Sequence, residues 1–159
     1  MDILDKLANN GNRFAAYLLD IIPIVGIVGL VFYVSTDLSN IFKEYLAHPG
    51  EIQYREPFIE IRNQIRTISF LVWVLYSAFM EASSKQATLG KQAMKIKVVD
   101  QNGERLSLFL AFKRNGAKII SFFFMLLGFI WILFDRNRQG WHDKVAKTFV
   151  VDQSYEREV

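Results

Sequence analysis

Three long apolar segments, at about residues 14–34, 65–82 and 117–134, dominate the hydrophobic pattern of this chain. The first of them contains a single charged residue, Asp20. A helix needs about 20 apolar residues to cross the hydrocarbon core of a bilayer, and the first segment reaches this length. The other two are shorter, so they must recruit flanking residues or insert incompletely. A soluble protein is the alternative, but a small domain does not easily surround three segments that are apolar on all sides.

The segments between them have their own patterns. Apolar residues at helical spacing predict an amphipathic helix at about residues 38–47, lying at the membrane surface, and Pro57 suits the first turn of the next helix. Residues 95–100 and 148–152 are rich in β-branched residues and predict two strands, which should pair because an isolated strand is unstable in water. The expected fold is an all-α integral membrane domain, residues 1–159, with a short two-stranded β element on the cytoplasmic side.

The distribution of Lys and Arg favours one topology and leaves a second one open. Basic residues gather in residues 83–118 and after residue 134, and loops rich in Lys and Arg stay on the cytoplasmic side. If the third apolar segment is re-entrant, both basic regions and both termini are cytoplasmic, and the two predicted strands can meet. Three full crossings remain the alternative. The first segment is not expected to be a cleaved signal peptide, because it is too long and no small-residue cleavage site follows it.

Composition narrows the classes of function. The 159 residues include 19 Lys and Arg against 16 Asp and Glu, which gives a net charge of +3. There is no Cys, which excludes thiol catalysis and thiolate metal sites, and the two His residues, His48 and His142, are far apart in the sequence. The positive charge lies along the membrane flanks, which argues against nucleic-acid binding. Since no nucleophile–base set appears, we expect no enzyme activity, no metal site and no cofactor.

Asp20 is the polar residue that most needs an explanation. A carboxylate inside a bilayer costs several kcal/mol unless it is paired, hydrated or protonated, so Asp20 should face protein or a wet cavity. Arg13 lies seven residues earlier, on the same helical face because seven residues rotate a helix by about 700°. The candidate partners of Asp20 are Arg13, Lys91 and Arg114. Its role is left open between a structural ion pair and a transport or proton site.

Two further polar sites flank the second apolar segment. Glu81 lies at the end of this segment and is expected to be a boundary residue in contact with water. If it were buried, burial would raise the pKa of its carboxyl group, and a partner such as Lys85, four residues on, would oppose that shift. The segment Thr88-Leu89-Gly90-Lys91 allows a turn whose amides could hold an anion or a lipid phosphate.

The polar run after the third apolar segment is basic and carries a tryptophan suited to a membrane interface. Anionic lipid headgroups are the expected contacts of such a run. Asp143, at its end, is expected either to cap a helix or to pair with an arginine. The residues predicted to lie at the interface or to bind headgroups are Arg136, Arg138, Trp141 and His142.

Taken in order, these motifs resemble those of the RDD family of prokaryotic membrane proteins, over about residues 10–152. The opening signature is similar to Arg13-Phe14-Ala15-Ala16 followed by Asp20. The middle signature is similar to Glu81 and Thr88-Leu89-Gly90-Lys91, followed by residues 95–100 and Asn102-Gly103. The closing signature is similar to Arg114, Asp135-Arg136 and residues 138–148.

The family is named for one arginine and two aspartates, which correspond to Arg13, Asp20 and Asp143 in this sequence. The resemblance implies that these residues can form a charged cluster, with Glu81, Lys91 and Arg114 beside it, if the C-terminal segment folds back to the first helix. Lys95 and Lys147 depart from the pattern, because family members often carry glycine there. These departures concern the local backbone conformation at the two positions.

The resemblance implies little about activity, since the family is described as of unknown function, with sodium–proton antiport proposed for at least one member. Two hypotheses follow: a small transporter or cation/proton exchanger that uses the charged cluster, or a non-transporting membrane module (a subunit, assembly factor or lipid-binding adaptor) in which the cluster is structural. The expected location is the bacterial cytoplasmic membrane, as a multi-pass protein with a cytoplasmic N-terminus. Because three short helices enclose little volume, we expect a homo-oligomer or a partner membrane protein.

Overall fold

The computed structural model describes residues 3–123 and 131–156. They form two compact units, Met1–Asp20 with Val74–Val159, and Ile21–Trp73. The helices are α1 (Asn10–Ser35), α2 (Leu38–Ala47), α3 (Ile52–Ala82), α4 (Leu89–Ala93), α5 (Leu108–Phe123) and α6 (Trp141–Ala146), and the strands are β1 (Ile96–Asp100) and β2 (Thr148–Asp152).

Two of these helices, α1 and α3, are long and apolar enough to cross a membrane. Helix α1 contains the first apolar segment and continues through Pro23. Helix α3 begins five residues before Pro57, so it starts earlier than predicted, and it extends well beyond its apolar part, as predicted. The predicted helical architecture is therefore confirmed, with two candidate membrane spans, and α2 has the predicted bounds of the amphipathic helix.

The two predicted strands pair antiparallel, with Val98 opposite Val150 at the centre of the ribbon. The N-terminal segment extends this ribbon, because the amide of Ala8 donates a hydrogen bond to the carbonyl of Val150 at 2.9 Å. The prediction of a two-stranded element is thus confirmed. Its core consists of alanine and branched aliphatic side chains packed together, among them Ala16 of α1, Ile96, Val98, Leu106, Ala111 and Val150.

The third apolar segment is only partly described. Helix α5 begins at Leu108, well before residue 117, and its first turns carry polar side chains that are buried in protein: Arg114, Asn115 and Lys118. Residues 124–130 lie outside the described residues, so the choice between a re-entrant and a crossing segment stays a prediction.

The unit Ile21–Trp73 contains α2 and the first part of α3, which contact each other through aromatic rings. Tyr45 stacks on Phe58 with ring centroids 4.4 Å apart, and Phe42 lies 5.8 Å from the same ring. These contacts cover part of the apolar face of α2, while Phe42 remains 45% exposed.

Candidate functional site

Five charged side chains from five helices meet within the unit formed by Met1–Asp20 and Val74–Val159. We call them the charged network. Two of its members are carboxylates, at the end of α3 and at the start of α6, and three are cations. Glu81 and Asp143 are fully buried and Arg114 is 1% exposed, so the network lies inside the protein. Its members are Arg13, Glu81, Lys91, Arg114 and Asp143.

Arg114 is the centre of the network because its guanidinium group joins both carboxylates. Its Nη1 donates to Oε2 of Glu81 at 2.5 Å. Its Nε and Nη2 donate to Oδ1 of Asp143 at 3.0 and 2.6 Å. Burial by itself would lower the pKa of Arg114, but Glu81 and Asp143 raise it above its usual value. Arg114 therefore remains charged and links α3, α5 and α6.

Asp143 both caps a helix and pairs with arginines, which the sequence analysis offered as alternatives. Its Oδ2 accepts hydrogen bonds from Nη2 of Arg13 at 2.5 Å and from the amide of Gly140, before the first turn of α6, at 3.1 Å. Burial by itself would raise the pKa of Asp143, whereas His142, Arg13 and Arg114 hold it well below its usual range. The carboxylate is therefore ionised at neutral pH and tied to two guanidinium groups.

Glu81 was predicted to contact water, and this prediction is wrong. It is fully buried, and Oε1 forms an ion pair with Lys91, not with Lys85. Oε2 accepts a hydrogen bond from the side-chain amide of Asn115 at 2.8 Å in addition to that from Arg114. The expectation failed because the sequence around Glu81 does not reveal that α5 brings Arg114 and Asn115 to it.

His142 is also buried, at 4% exposure, with Nε2 3.4 Å from Oδ1 of Asp143. Burial lowers the pKa of His142, Asp143 opposes this shift and Arg114 adds to it, which leaves the pKa at about 3. The imidazole is therefore neutral at pH 7. A side chain this deep does not reach a lipid headgroup, so the headgroup hypothesis does not apply to His142 in this conformation.

The other three residues predicted to bind headgroups differ in their exposure to solvent. Arg136 and Arg138 are exposed, and Trp141 is partly buried. Arg138 donates to the carbonyls of Leu7 and Ala8 at 3.2 and 3.3 Å, and its own carbonyl accepts a hydrogen bond from Arg13 at 2.5 Å. Arg138 thus fastens the N-terminal segment to the residues that precede α6.

Asp20 lies outside the charged network, and its hydrogen bonds come from other donors than the three cations predicted as its partners. Its Oδ1 accepts hydrogen bonds from the amide of Gly90 at 2.8 Å and from the hydroxyl of Tyr76 at 3.3 Å. The amide of Leu89 donates to that hydroxyl at 2.8 Å. Asp20 is 6% exposed. Within the described part of the chain, the hydrogen-bond donors of this carboxylate are neutral groups.

The contact between Asp20 and α4 requires glycine at position 90. A Cβ atom there would lie 2.2 Å from the carbonyl oxygen of Ala16 and 2.9 Å from Cγ of Asp20. From the sequence, the amides of this turn were expected to be able to hold an anion or a lipid phosphate. In the structure the amide of Gly90 binds an internal one, the carboxylate of Asp20.

Two polar residues of this region were not singled out from the sequence. Asn115 and Lys118 are buried on α5, one and four residues after Arg114. Their signal was present, since polar residues recur on one face of α5 just before an apolar run. Among the described residues, no group of three or more His, Asp and Glu side chains is placed to hold a metal ion.

Comparisons with known proteins agree with this architecture. The model of the RDD family matches residues 7–147. A protein of Bacillus subtilis (strain 168), named uncharacterized protein YxaI, is 32% identical over an alignment of 158 residues. The match covers 93% of this chain and 99% of that protein. No solved structure matches the chain. The family model covers most of the sequence, and two helices can span a membrane; the chain is a membrane-type member of the RDD family.

Proposed function

We propose that this protein is a small cation- or proton-coupled transporter of the bacterial cytoplasmic membrane in which Asp20 is the exchanging group. The observation that carries the proposal is the difference between Asp20 and the two carboxylates of the charged network. All three are buried, but Glu81 and Asp143 are paired with cations, while Asp20 accepts hydrogen bonds from neutral donors.

This difference bears on exchange because a group that binds and releases a cation or proton needs two states of similar free energy. A buried carboxylate that is already paired with two cations, as Glu81 and Asp143 are, has no site left for a further one. Asp20 lies in a helix able to cross the membrane, and intramembrane carboxylates commonly serve as proton or ion sites.

The charged network has a different role in this proposal, as the scaffold that holds α4 against α1. Lys91 of α4 pairs with Glu81, and the next residue towards the N-terminus, Gly90, contacts Asp20. Movement of α4 would break both contacts. A transport cycle would therefore couple the ionisation of Asp20 to the position of this short helix. Because one chain encloses little volume, we expect the working unit to be a homo-oligomer or a complex with another membrane protein.

The test is flux into proteoliposomes that contain the purified protein and a pH-sensitive dye. Gradients of Na⁺, K⁺ and H⁺ are imposed in turn, and the wild-type protein is compared with Asp20→Asn. Asparagine keeps the oxygen that accepts hydrogen bonds from Gly90 and Tyr76, so the variant should fold. Asp5→Asn, at an exposed position, is the matched control. Cation-dependent proton flux in the wild type and the control, abolished by Asp20→Asn at unchanged stability, would support the proposal.

A second candidate is the non-transporting membrane module. This candidate is favoured by the hydrogen bonds of the charged network, because each carboxylate oxygen of Glu81 and Asp143 already accepts one. Such buried ion pairs are expensive to rearrange. Absence of flux for every gradient, together with loss of folding in Asp20→Asn, would favour this module over the transporter. Neither proposal assigns an enzyme activity or a nucleic-acid partner to the chain.

A further inference from the structure

An open groove in the unit Ile21–Trp73 has a lining that suits a lipid. The groove has a volume of about 470 Å³ and lies between the end of α1, helix α2 and the first part of α3. Its walls are mainly apolar, with the rings of Tyr33, Phe42 and Phe58 and the side chains of Ile61 and Ile65. This volume is within the range of sites that bind small apolar ligands.

The charges at the groove are of one sign. Lys43 of α2 and Arg62 of α3 line it, and no carboxylate is among its lining residues. Both side chains are exposed, so their apolar stems can lie along the groove while their charged ends remain in water. An apolar slot with two cations at its mouth is complementary to a molecule with a hydrocarbon chain and an anionic head.

The position of the groove in the sequence places it at the level of a membrane interface. Tyr33 lies in the last turn of α1, and Ile65 lies where the apolar part of α3 begins. Aromatic and basic side chains at the ends of spanning helices commonly lie among lipid headgroups. A chain from the bilayer can therefore enter the groove without leaving the membrane.

We propose that this groove binds an anionic phospholipid of the surrounding bilayer, with one acyl chain between α2 and α3 and the phosphate between Lys43 and Arg62. The site is separate from the charged network and from Asp20, so it does not depend on the transport proposal. A basic residue near a membrane surface strengthens binding of anionic lipid by about fivefold. The groove should therefore prefer phosphatidylglycerol to phosphatidylcholine by at least this factor.

The experiment uses the full chain in vesicles of phosphatidylcholine that contain brominated phosphatidylglycerol or brominated phosphatidylcholine, since bromine quenches tryptophan fluorescence at short range. The reporter is Phe42→Trp, with Tyr33→Trp as a second reporter, and the signal of the parent protein is subtracted. A matched control reporter is Ile59→Trp, because Ile59 lines a different groove on α3, beside Glu56 and Glu60. We expect stronger quenching by brominated phosphatidylglycerol at Phe42→Trp and no such preference at Ile59→Trp.

The charge dependence is tested with Lys43→Gln and Arg62→Gln combined, and with Arg55→Gln as an exposed control on α3 outside the groove. The double variant should lose the preference for phosphatidylglycerol, whereas Arg55→Gln should keep it; circular dichroism checks that each variant is folded. Equal quenching by the two phospholipids, or a preference that survives the double variant, overturns the proposal. The proposal is also overturned if a brominated fatty acid quenches the reporter and excess phosphatidylglycerol does not relieve this quenching. It is overturned likewise if a second copy of the chain occupies the groove and excludes every lipid.

Discussion

The guanidinium group of Arg114 reaches Oδ1 of Asp143 through two nitrogens, Nε at 3.0 Å and Nη2 at 2.6 Å, while its third nitrogen binds Glu81. One buried cation therefore serves two buried carboxylates. Its removal would leave both of them short of positive charge in a buried site. The loss of one partner from a buried ion pair typically costs about 3–5 kcal/mol.

We accordingly expect Arg114→Gln to lower the free energy of unfolding by about 3–5 kcal/mol, measured by equilibrium unfolding in detergent micelles. Lys113→Gln is the control, because Lys113 is the exposed neighbour on the same helix and should change stability by less than about 0.5 kcal/mol. Arg114→Lys should fall between them, since one ammonium group cannot reproduce a guanidinium that contacts two carboxylates. Similar stability of Arg114→Gln and Lys113→Gln would show that the network does not hold these helices together.

The close approach of α4 to α1 yields a second prediction. Gly90→Ala would place Cβ 2.2 Å from the carbonyl oxygen of Ala16, so α4 must move away and the hydrogen bond to Asp20 must lengthen. We expect destabilisation of about 2 kcal/mol or more, as for other overpacked sites.

The control for this substitution is Gly116→Ala on α5, where nothing lies within 4 Å of the new Cβ atom. Alanine is the better helix former by about 1 kcal/mol, so this variant should be as stable as the wild type or more so. The two variants are compared by thermal unfolding in the same detergent. If Gly90→Ala is as stable as Gly116→Ala, Gly90 does not pack against α1 as the structure describes.

Helices α1 and α2 and the two strands could be predicted from the sequence because their signals are local, whereas the short helix α4 was predicted only as a turn. The apolar run of α1, the helical spacing in α2 and the β-branched residues of β1 and β2 each lie within a few turns of chain. The types of residue in the site could also be predicted, since a charge beside an apolar segment needs a partner. Which of these residues pair with one another could not be predicted, because partners such as Arg13 and Asp143 are 130 positions apart in the sequence.

The errors at Glu81 and Asp20 have this same long-range origin. The nearest cation along the chain, Lys85, was the natural candidate for Glu81, but α5 brings Arg114 from 33 positions away. For Asp20 the predicted partners were cations, whereas the donors in the structure are the hydroxyl of Tyr76 and the amide of Gly90. Every residue but proline carries a backbone amide, so the sequence does not mark this second donor. A polar residue can thus be recognised locally, whereas its partner is determined by the packing of distant helices.

The buried imidazole of His142 predicts a specific dependence of stability on pH. Its pKa is about 3 in the folded protein and about 6.5 in the unfolded chain. Above pH 6.5 both states hold it neutral. As the pH falls from 6.5 towards 3, the unfolded state gains a proton that the folded state does not, so the folded state loses about 1.4 kcal/mol per pH unit, or about 2 kcal/mol by pH 5.

Equilibrium unfolding between pH 6.5 and 5 measures this slope, and His142→Gln should flatten it. His48→Gln, which replaces the other histidine of the chain, serves as the control. Asp143 adds a loss of the same sign only at lower pH, because its pKa is depressed in the folded protein and its stabilisation is lost below about pH 4. An unchanged slope in His142→Gln would mean that the imidazole is not buried in its neutral form.

Lys95 and Lys147 occupy positions where the backbone has the left-handed conformation, with φ of 54° and 51°. Residues with a Cβ atom pay about 1–2 kcal/mol for this conformation, and glycine does not. Lys147 ends α6 as its C-cap, the place where helices most often use glycine. Both side chains are exposed.

We expect Lys147→Gly and Lys95→Gly each to raise the free energy of unfolding by about 1 kcal/mol. The control is Lys113→Gly, at an exposed position inside α5, which should lower the free energy of unfolding by about the same amount. Thermal unfolding of the three variants distinguishes the left-handed positions from an ordinary helical one, and a loss of stability at position 147 would contradict the conformation described for it.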